Sequence, residues 1–108
     1  MVRVLVIEDT PAEADALVLC LRRYAAERGE TLAIEVIGSA FEFLGSHQPC
    51  DLIFMDIDMP GITGMEAAQA LRAHDEKTPL VFVTNLSQYA VKGYEVDALG
   101  FLVKPVSY

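Results

Sequence analysis

Basic residues are scarce in this chain. Eight Lys plus Arg stand against sixteen Asp plus Glu, a formal net charge of −8. That balance argues against a nucleic-acid or anionic-membrane surface, since such partners need basic patches. Long apolar runs are missing as well, since none reaches the roughly 18 to 20 residues of a membrane span. The opening Met1-Val2-Arg3-Val4 enters a short strand-like run that a charge follows at once, which is not how a signal peptide reads. Cysteine is limited to Cys20 and Cys50, with no CxxC and no histidine cluster. Such usage is that of ordinary buried thiols in a reducing compartment. There is no internal repeat, linker or low-complexity stretch. What the chain does have is apolar material, 53% hydrophobic against 22% charged over 108 residues, enough for one domain with a real core. The expectation is a soluble cytoplasmic domain whose chemistry lies in its acids.

Strand and helix signals alternate from end to end. Residues 2–7 (VRVLVI) form a β-branched run closed by Glu8-Asp9, the pattern of a strand buried on both faces. Thr10-Pro11-Ala12-Glu13 is a capping box with proline at the first helical position. The helix it opens should reach about Arg28, with Ala14, Leu17, Leu21 and Tyr24 on its inner face and Gly29 as its stop. Residues 32–37 (LAIEVI) read as a second strand, and Ser39-Ala40-Phe41-Glu42 caps a short helix ending near Gly45-Ser46. Residues 51–56 (DLIFMD) make a third strand, followed by a turn at Asp58-Met59-Pro60-Gly61. Thr63-Gly64-Met65-Glu66 caps a helix running to about His74. A fourth strand at 80–84 (LVFVT), a short helix at 87–93 and a fifth strand at 99–103 (LGFLV) complete the series. Alternation of this kind predicts an α/β fold with a parallel, doubly wound sheet, because buried strands need helices on both faces. In such sheets ligands bind outside the carboxyl ends of the strands.

Those ends carry the chemistry. Strand one ends in Glu8-Asp9, strand three in Asp56, strand four in Thr84 and strand five in Lys104. Three acids, a hydroxyl and an amine therefore converge on one edge. The carboxylates repel one another, and a hard divalent ion such as Mg²⁺, which takes one or two carboxylates plus waters and phosphate oxygens, relieves that repulsion. A site of this kind accepts a phosphoryl group: Asp56 is the nucleophile that forms an acyl phosphate, with Lys104 as a second positive charge and Thr84 as a hydroxyl donor. Taken singly, each residue also has a plain structural reading. Glu8-Asp9 favour a following helix N-terminus, Asp56 suits a turn, Thr84 suits a cap, and Lys104 suits a solvated loop. Their common placement at strand ends is what favours the chemical reading. Met55 and Met65 read as core filler, and His47 and His74 as surface residues near helix ends.

The segments VLVIEDT, DLIFMDIDMPGITGMEAA, VFVTN and FLVKP together resemble the receiver domain of two-component response regulators over nearly the whole chain, 1–108. That resemblance implies a flavodoxin-like, doubly wound sheet of five parallel strands in the order 2-1-3-4-5, and phosphorylation by a sensor histidine kinase. It places the phosphoacceptor at Asp56. Side-chain Mg²⁺ ligands fall at Asp9 and Asp56, with Glu8 reaching the metal mostly through water and Asp58 contributing its backbone carbonyl. The switch hydroxyl falls at Thr84, the phosphate-pairing lysine at Lys104, a cis peptide at Lys104-Pro105, and the aromatic switch position at Phe101. In this switch, phosphorylation draws Thr84 and Lys104 inward and Phe101 turns into the vacated space, reshaping the surface of the fourth helix and fifth strand. The segment QYAVKGYEVDALGFLVKP is further similar to receivers joined to LytTR-type DNA-binding output domains. This implies a transcription regulator whose DNA-binding part is not in this chain, with no nucleic-acid or membrane contact by the receiver itself.

Two positions depart from the pattern: Asn85 stands where a small residue is common, and Gly100 where the subfamily often has Asp. The chain also ends at Tyr108, where a fifth helix usually begins. The expectation is an apolar surface that either a final helix absent from this chain or another chain covers, the second giving a homodimer or a swapped arrangement. Three alternatives compete. Asp56-Ile57-Asp58 matches the DxD of haloacid-dehalogenase-type phosphatases, but there the motif follows the first strand. A flavodoxin-like FMN binder needs a glycine- and hydroxyl-rich phosphate loop where this chain has Glu8-Asp9-Thr10-Pro11. A degenerate receiver that only docks partners conflicts with the complete acidic set.

Overall fold

The computed structural model describes residues 1–46, 49–57, 61–73, 75, 77–84 and 100–103. Its elements are β1 (Val2–Ile7), α1 (Pro11–Arg28), β2 (Leu32–Ile37), α2 (Ala40–Ser46), β3 (Leu52–Asp56), α3 (Gly64–Arg72), β4 (Leu80–Thr84) and β5 (Gly100–Val103). The helix expected at 87–93 lies outside the described residues. All strand pairs are parallel, and the sheet order is β2-β1-β3-β4-β5. This is the flavodoxin-like winding, reached because β1 lies inside the sheet while its sequence neighbour β2 forms an edge.

The period-2 alternation of each strand divides the core in two. Leu5, Ile7, Ile53, Met55, Leu80 and Phe82 face α2 and α3, where they meet Phe43, Met65, Ala67, Ala68 and Leu71. Val4, Val6, Phe54, Val81 and Val83 face the other way and meet Leu17 of α1. On that second face Val2, Val36 and Leu102 remain exposed at the rim of the sheet. The methionines assigned to the core, Met55 and Met65, are buried in it. Cys20 and Cys50 are free and only half-buried, less enclosed than their sequence pattern implies, and burial pushes the Cys50 thiol above its ordinary pKa.

Local structure follows sequence signals with instructive exceptions. Gly29 ends α1 in the left-handed conformation, φ 67, and the Glu30 N–H donates to the Ala25 carbonyl at 2.9 Å while Gly29 N–H reaches Ala26. That is a Schellman closure. The α1 start differs from expectation: Thr10 is the N-cap but makes no side-chain cap. Its own N–H donates instead to Glu8 Oε1 at 3.2 Å. The inner face of α1 also differs, since Ala25 is buried and Tyr24 is 45% exposed. There the ring carries the Arg28 guanidinium 4.3 Å from its centroid, a cation–π contact that water tolerates. Asp51 precedes β3 rather than starting it. It clasps the first strand, donating its N–H to the Arg3 carbonyl at 2.8 Å and accepting the Arg3 N–H on Oδ2 at 2.9 Å.

The turn from α3 to β4 is built on Asp75. Its Oδ1 accepts the N–H groups of Lys77 and Thr78, both at 2.9 Å, and its Oδ2 accepts the Thr78 hydroxyl. The Thr78 hydroxyl first, and then the two N–H groups, hold the Asp75 carboxyl at about 2, below its ordinary 3.8. A carboxyl with a depressed folded-state pKa stabilises the fold above its unfolded value and loses that contribution as pH falls. Asp75→Ala should therefore cost about 1–2 kcal/mol near neutral pH. In urea denaturation the gap to the native chain should narrow as pH falls from about 3.8 to about 2. A pH-independent gap would mean that packing, not the ionised carboxylate, holds this turn.

Candidate functional site

The acids gather because β1 and β3 are neighbours in register. Ile7 pairs with Met55, so the next residues along, Glu8 and Asp56, leave the sheet side by side. Glu8 N–H continues the ladder to the Ile37 carbonyl at 3.0 Å, and Asp9 follows at the mouth of α1. Glu8, Asp9 and Asp56 each present a carboxylate oxygen, and these atoms all lie within 4.8 Å of one another. Glu8 is 6% exposed and Asp56 3%; Asp9 is half-buried. Two carboxylates withdrawn from water beside a third are costly unless compensated. Some compensation comes from the Thr10 N–H on Glu8. An all-oxygen, all-carboxylate donor set within one ion's reach suits a hard divalent cation, Mg²⁺ before any soft metal. The three residues fit such an ion.

The loop after β3 is anchored at its far end. Ile57 is buried beside Asp56, Gly61 takes a left-handed turn at φ 78, and Thr63 closes a full capping box. Glu66 N–H donates to Thr63 Oγ1 at 3.2 Å and Thr63 N–H to Glu66 Oε1 at 3.1 Å. Gly64 N–H donates back to the Ile57 carbonyl at 2.9 Å. The start of α3 is thus tied directly to the peptide that follows Asp56.

Of the residues singled out in the sequence, Glu8, Asp9 and Asp56 come together as expected. Thr84 ends β4 and pairs with Val103 of β5, and Phe101 of β5 pairs with Phe82 of β4. Asp58, Lys104 and Pro105 lie outside the described residues, as do His47 and His74. Sequence reasoning passed over Gly64 as a site residue. The available signal was a glycine inside a helix's first turn, where it costs about 1 kcal/mol relative to alanine and so calls for a steric reason.

Comparison with known proteins agrees with this geometry. The profile of the family described as response regulator receiver domain matches residues 4–108. The sensory transduction protein LytT of Bacillus subtilis is 39% identical over 105 residues, covering 97% of this chain and 43% of that protein. The transcriptional regulatory protein BtsR of Escherichia coli is 32% identical over 111 residues, covering 98% of this chain and 43% of its own length. The chain therefore spans less than half of these relatives. Among solved structures, the chemotaxis response regulator CheY4 of Vibrio cholerae superposes with TM-score 0.81 at 26% identity, covering 99% of this chain and 89% of the other. The response regulator TrrA of Thermotoga maritima, solved in complex with Mg²⁺-BeF, gives TM-score 0.78 at 27% identity, with 99% and 90% covered.

Proposed function

The chain belongs to the response regulator receiver family, and from that membership we propose that it takes a phosphoryl group from a sensor histidine kinase onto Asp56 and passes the resulting change of shape to an output domain. The observation that carries this reading is the convergence of Glu8, Asp9 and Asp56 within 4.8 Å at one sheet edge. Glu8, Asp9 and Asp56, with the Asp58 carbonyl, would hold Mg²⁺. When bound, that ion neutralises the carboxylates and the charge on the transferring oxygens.

The chain's own residues do the rest. An Asp56 carboxylate oxygen attacks the phosphorus, the bond from phosphorus to the donor breaks, and the donor atom keeps the electron pair. Burial of Asp56 shields the acyl phosphate from bulk water. Glu8, held by the Thr10 N–H, keeps its carboxylate beside the reacting one. Thr84 and Lys104 pair with the phosphoryl oxygens through charge-assisted hydrogen bonds, and their inward movement lets Phe101 turn, the two-state element of the switch. The chain acts as a signalling switch that catalyses its own phosphorylation and dephosphorylation. A LytTR-type DNA-binding output beyond residue 108 is supported by the LytT relatives, of which this chain matches 43%. The haloacid-dehalogenase alternative places its DxD after the first strand, whereas Asp56 ends β3.

Incubation with acetyl phosphate and Mg²⁺ should add one phosphoryl group to the intact mass, and EDTA should prevent it. Labelling that persists undiminished in EDTA would overturn the proposed cation-dependent mechanism.

A further inference from the structure

Gly64 stands closer to the Asp56 backbone than any side-chain-bearing residue can. A β-carbon placed on it would overlap the Asp56 carbonyl oxygen and lie 2.7 Å from the Asp56 carbonyl carbon and 2.8 Å from Ile57 Cα. Carbon atoms at rest keep about 3.5–4.0 Å apart. All three obstacles are main chain, so no change of rotamer relieves them. Gly64 is absent from the left-handed glycines, Gly29 and Gly61, so its requirement is one of space and not of dihedral angle.

The helix behind Gly64 has little room to retreat. Its first turn is held by the Thr63–Glu66 capping box, and Met65, Ala67, Ala68 and Leu71 are buried in the core. The Gly64 N–H bond to the Ile57 carbonyl closes the contact from the other side. Any bulk at this position is therefore transmitted to the 56–57 peptide. That peptide sets the direction in which the Asp56 carboxylate leaves β3 toward Glu8 and Asp9.

We propose that Gly64 is a positioning residue for the phosphoacceptor: its bare Cα lets the first turn of α3 clamp the Asp56–Ile57 main chain and so aim the Asp56 carboxylate. The inference rests on the reading of Asp56 as the phosphoacceptor, and α3 acts in it as a rigid stop. The stop has to be close, because a misplacement of about 1 Å at a reacting group costs on the order of 100-fold in rate.

The test compares Gly64→Ala with Leu71→Val, which trims the core at the opposite end of the same helix. Both are labelled with saturating acetyl phosphate and Mg²⁺, and rates are expressed per folded molecule by circular dichroism. Gly64→Ala should lower the limiting rate roughly 10-fold or more, while Leu71→Val stays within about two-fold of native. Without Mg²⁺, the amide resonances of Asp56 and Ile57 should shift in Gly64→Ala and hold in Leu71→Val. Equal rates in the two variants, or unmoved amides in Gly64→Ala, would overturn the proposal. If Gly64→Ala does not fold, Thr63→Val replaces it, since losing the cap frees the same turn. A several-fold slower rate than Leu71→Val then supports the clamp, and parity overturns it. A native chain that fails to label at all would remove the phosphoacceptor reading itself, a result distinct from any ranking of the variants.

Discussion

Asp56→Asn should abolish phosphoryl labelling: after acetyl phosphate and Mg²⁺, the intact mass of the variant is expected to remain that of the unmodified chain. Asparagine keeps the size and shape of the side chain, so the pocket around it is preserved. Its amide has no anionic oxygen to attack phosphorus, and the activating charge is gone. The loss is therefore one of chemistry and not of folding. Stability separates the two. Asp56 and Glu8 are both buried, and their oxygens and that of Asp9 lie within 4.8 Å, so removing one charge relieves repulsion. In the absence of Mg²⁺ the melting temperature of Asp56→Asn should be no lower than that of the native chain. Phosphoryl label recovered on another residue of the variant would move the nucleophile away from Asp56.

Phe82→Ala should produce the largest loss of stability, about 3–5 kcal/mol in urea denaturation. Phe82 is fully buried in the middle of β4, paired with Met55 on one side and Phe101 on the other. Its ring belongs to the cluster shared with Ile53, Leu80, Phe43 and the inner face of α3. Removal leaves a cavity that strands bonded on both sides cannot close. Domains of this size have only about 5–15 kcal/mol in hand, so the variant should sit near its unfolding threshold. Phe82→Leu refills most of the volume and should cost less than about 1.5 kcal/mol. A Phe82→Ala loss below about 1 kcal/mol would mean that this face of the sheet is not closed.

Much of this architecture is legible in the chain because the signals are local and strong. Apolar runs that end abruptly in Asp9, Asp56 and Thr84 mark the strands and their carboxyl ends together. Pro11, Gly29 and the Thr63–Glu66 pair mark helix ends through backbone requirements that hold in any context. The misread details are those in which two local choices are nearly equal and a distant contact decides. Asp51 looks like a strand residue by adjacency to Leu52, yet its carboxylate finds the Arg3 N–H, 48 residues away in sequence. Thr10 and Glu13 look like a capping box, but Glu8 comes first to the Thr10 N–H. Tyr24 and Ala25 compete for the inner face of α1. Alanine takes it, and the phenol remains near water beside Arg28.

The sequence by itself determined the alternation of strands and helices, and with it the side of the sheet on which every strand-end acid must emerge. Periodicity and chain direction suffice for that. Only the tertiary structure decided that β1 and β3 lie next to each other with Ile7 opposite Met55, which turns acids 48 positions apart into one cluster. It also decided that α3 begins against the Asp56 carbonyl, where no side chain fits. Register and close approach are properties of pairs of segments, and no single segment carries them.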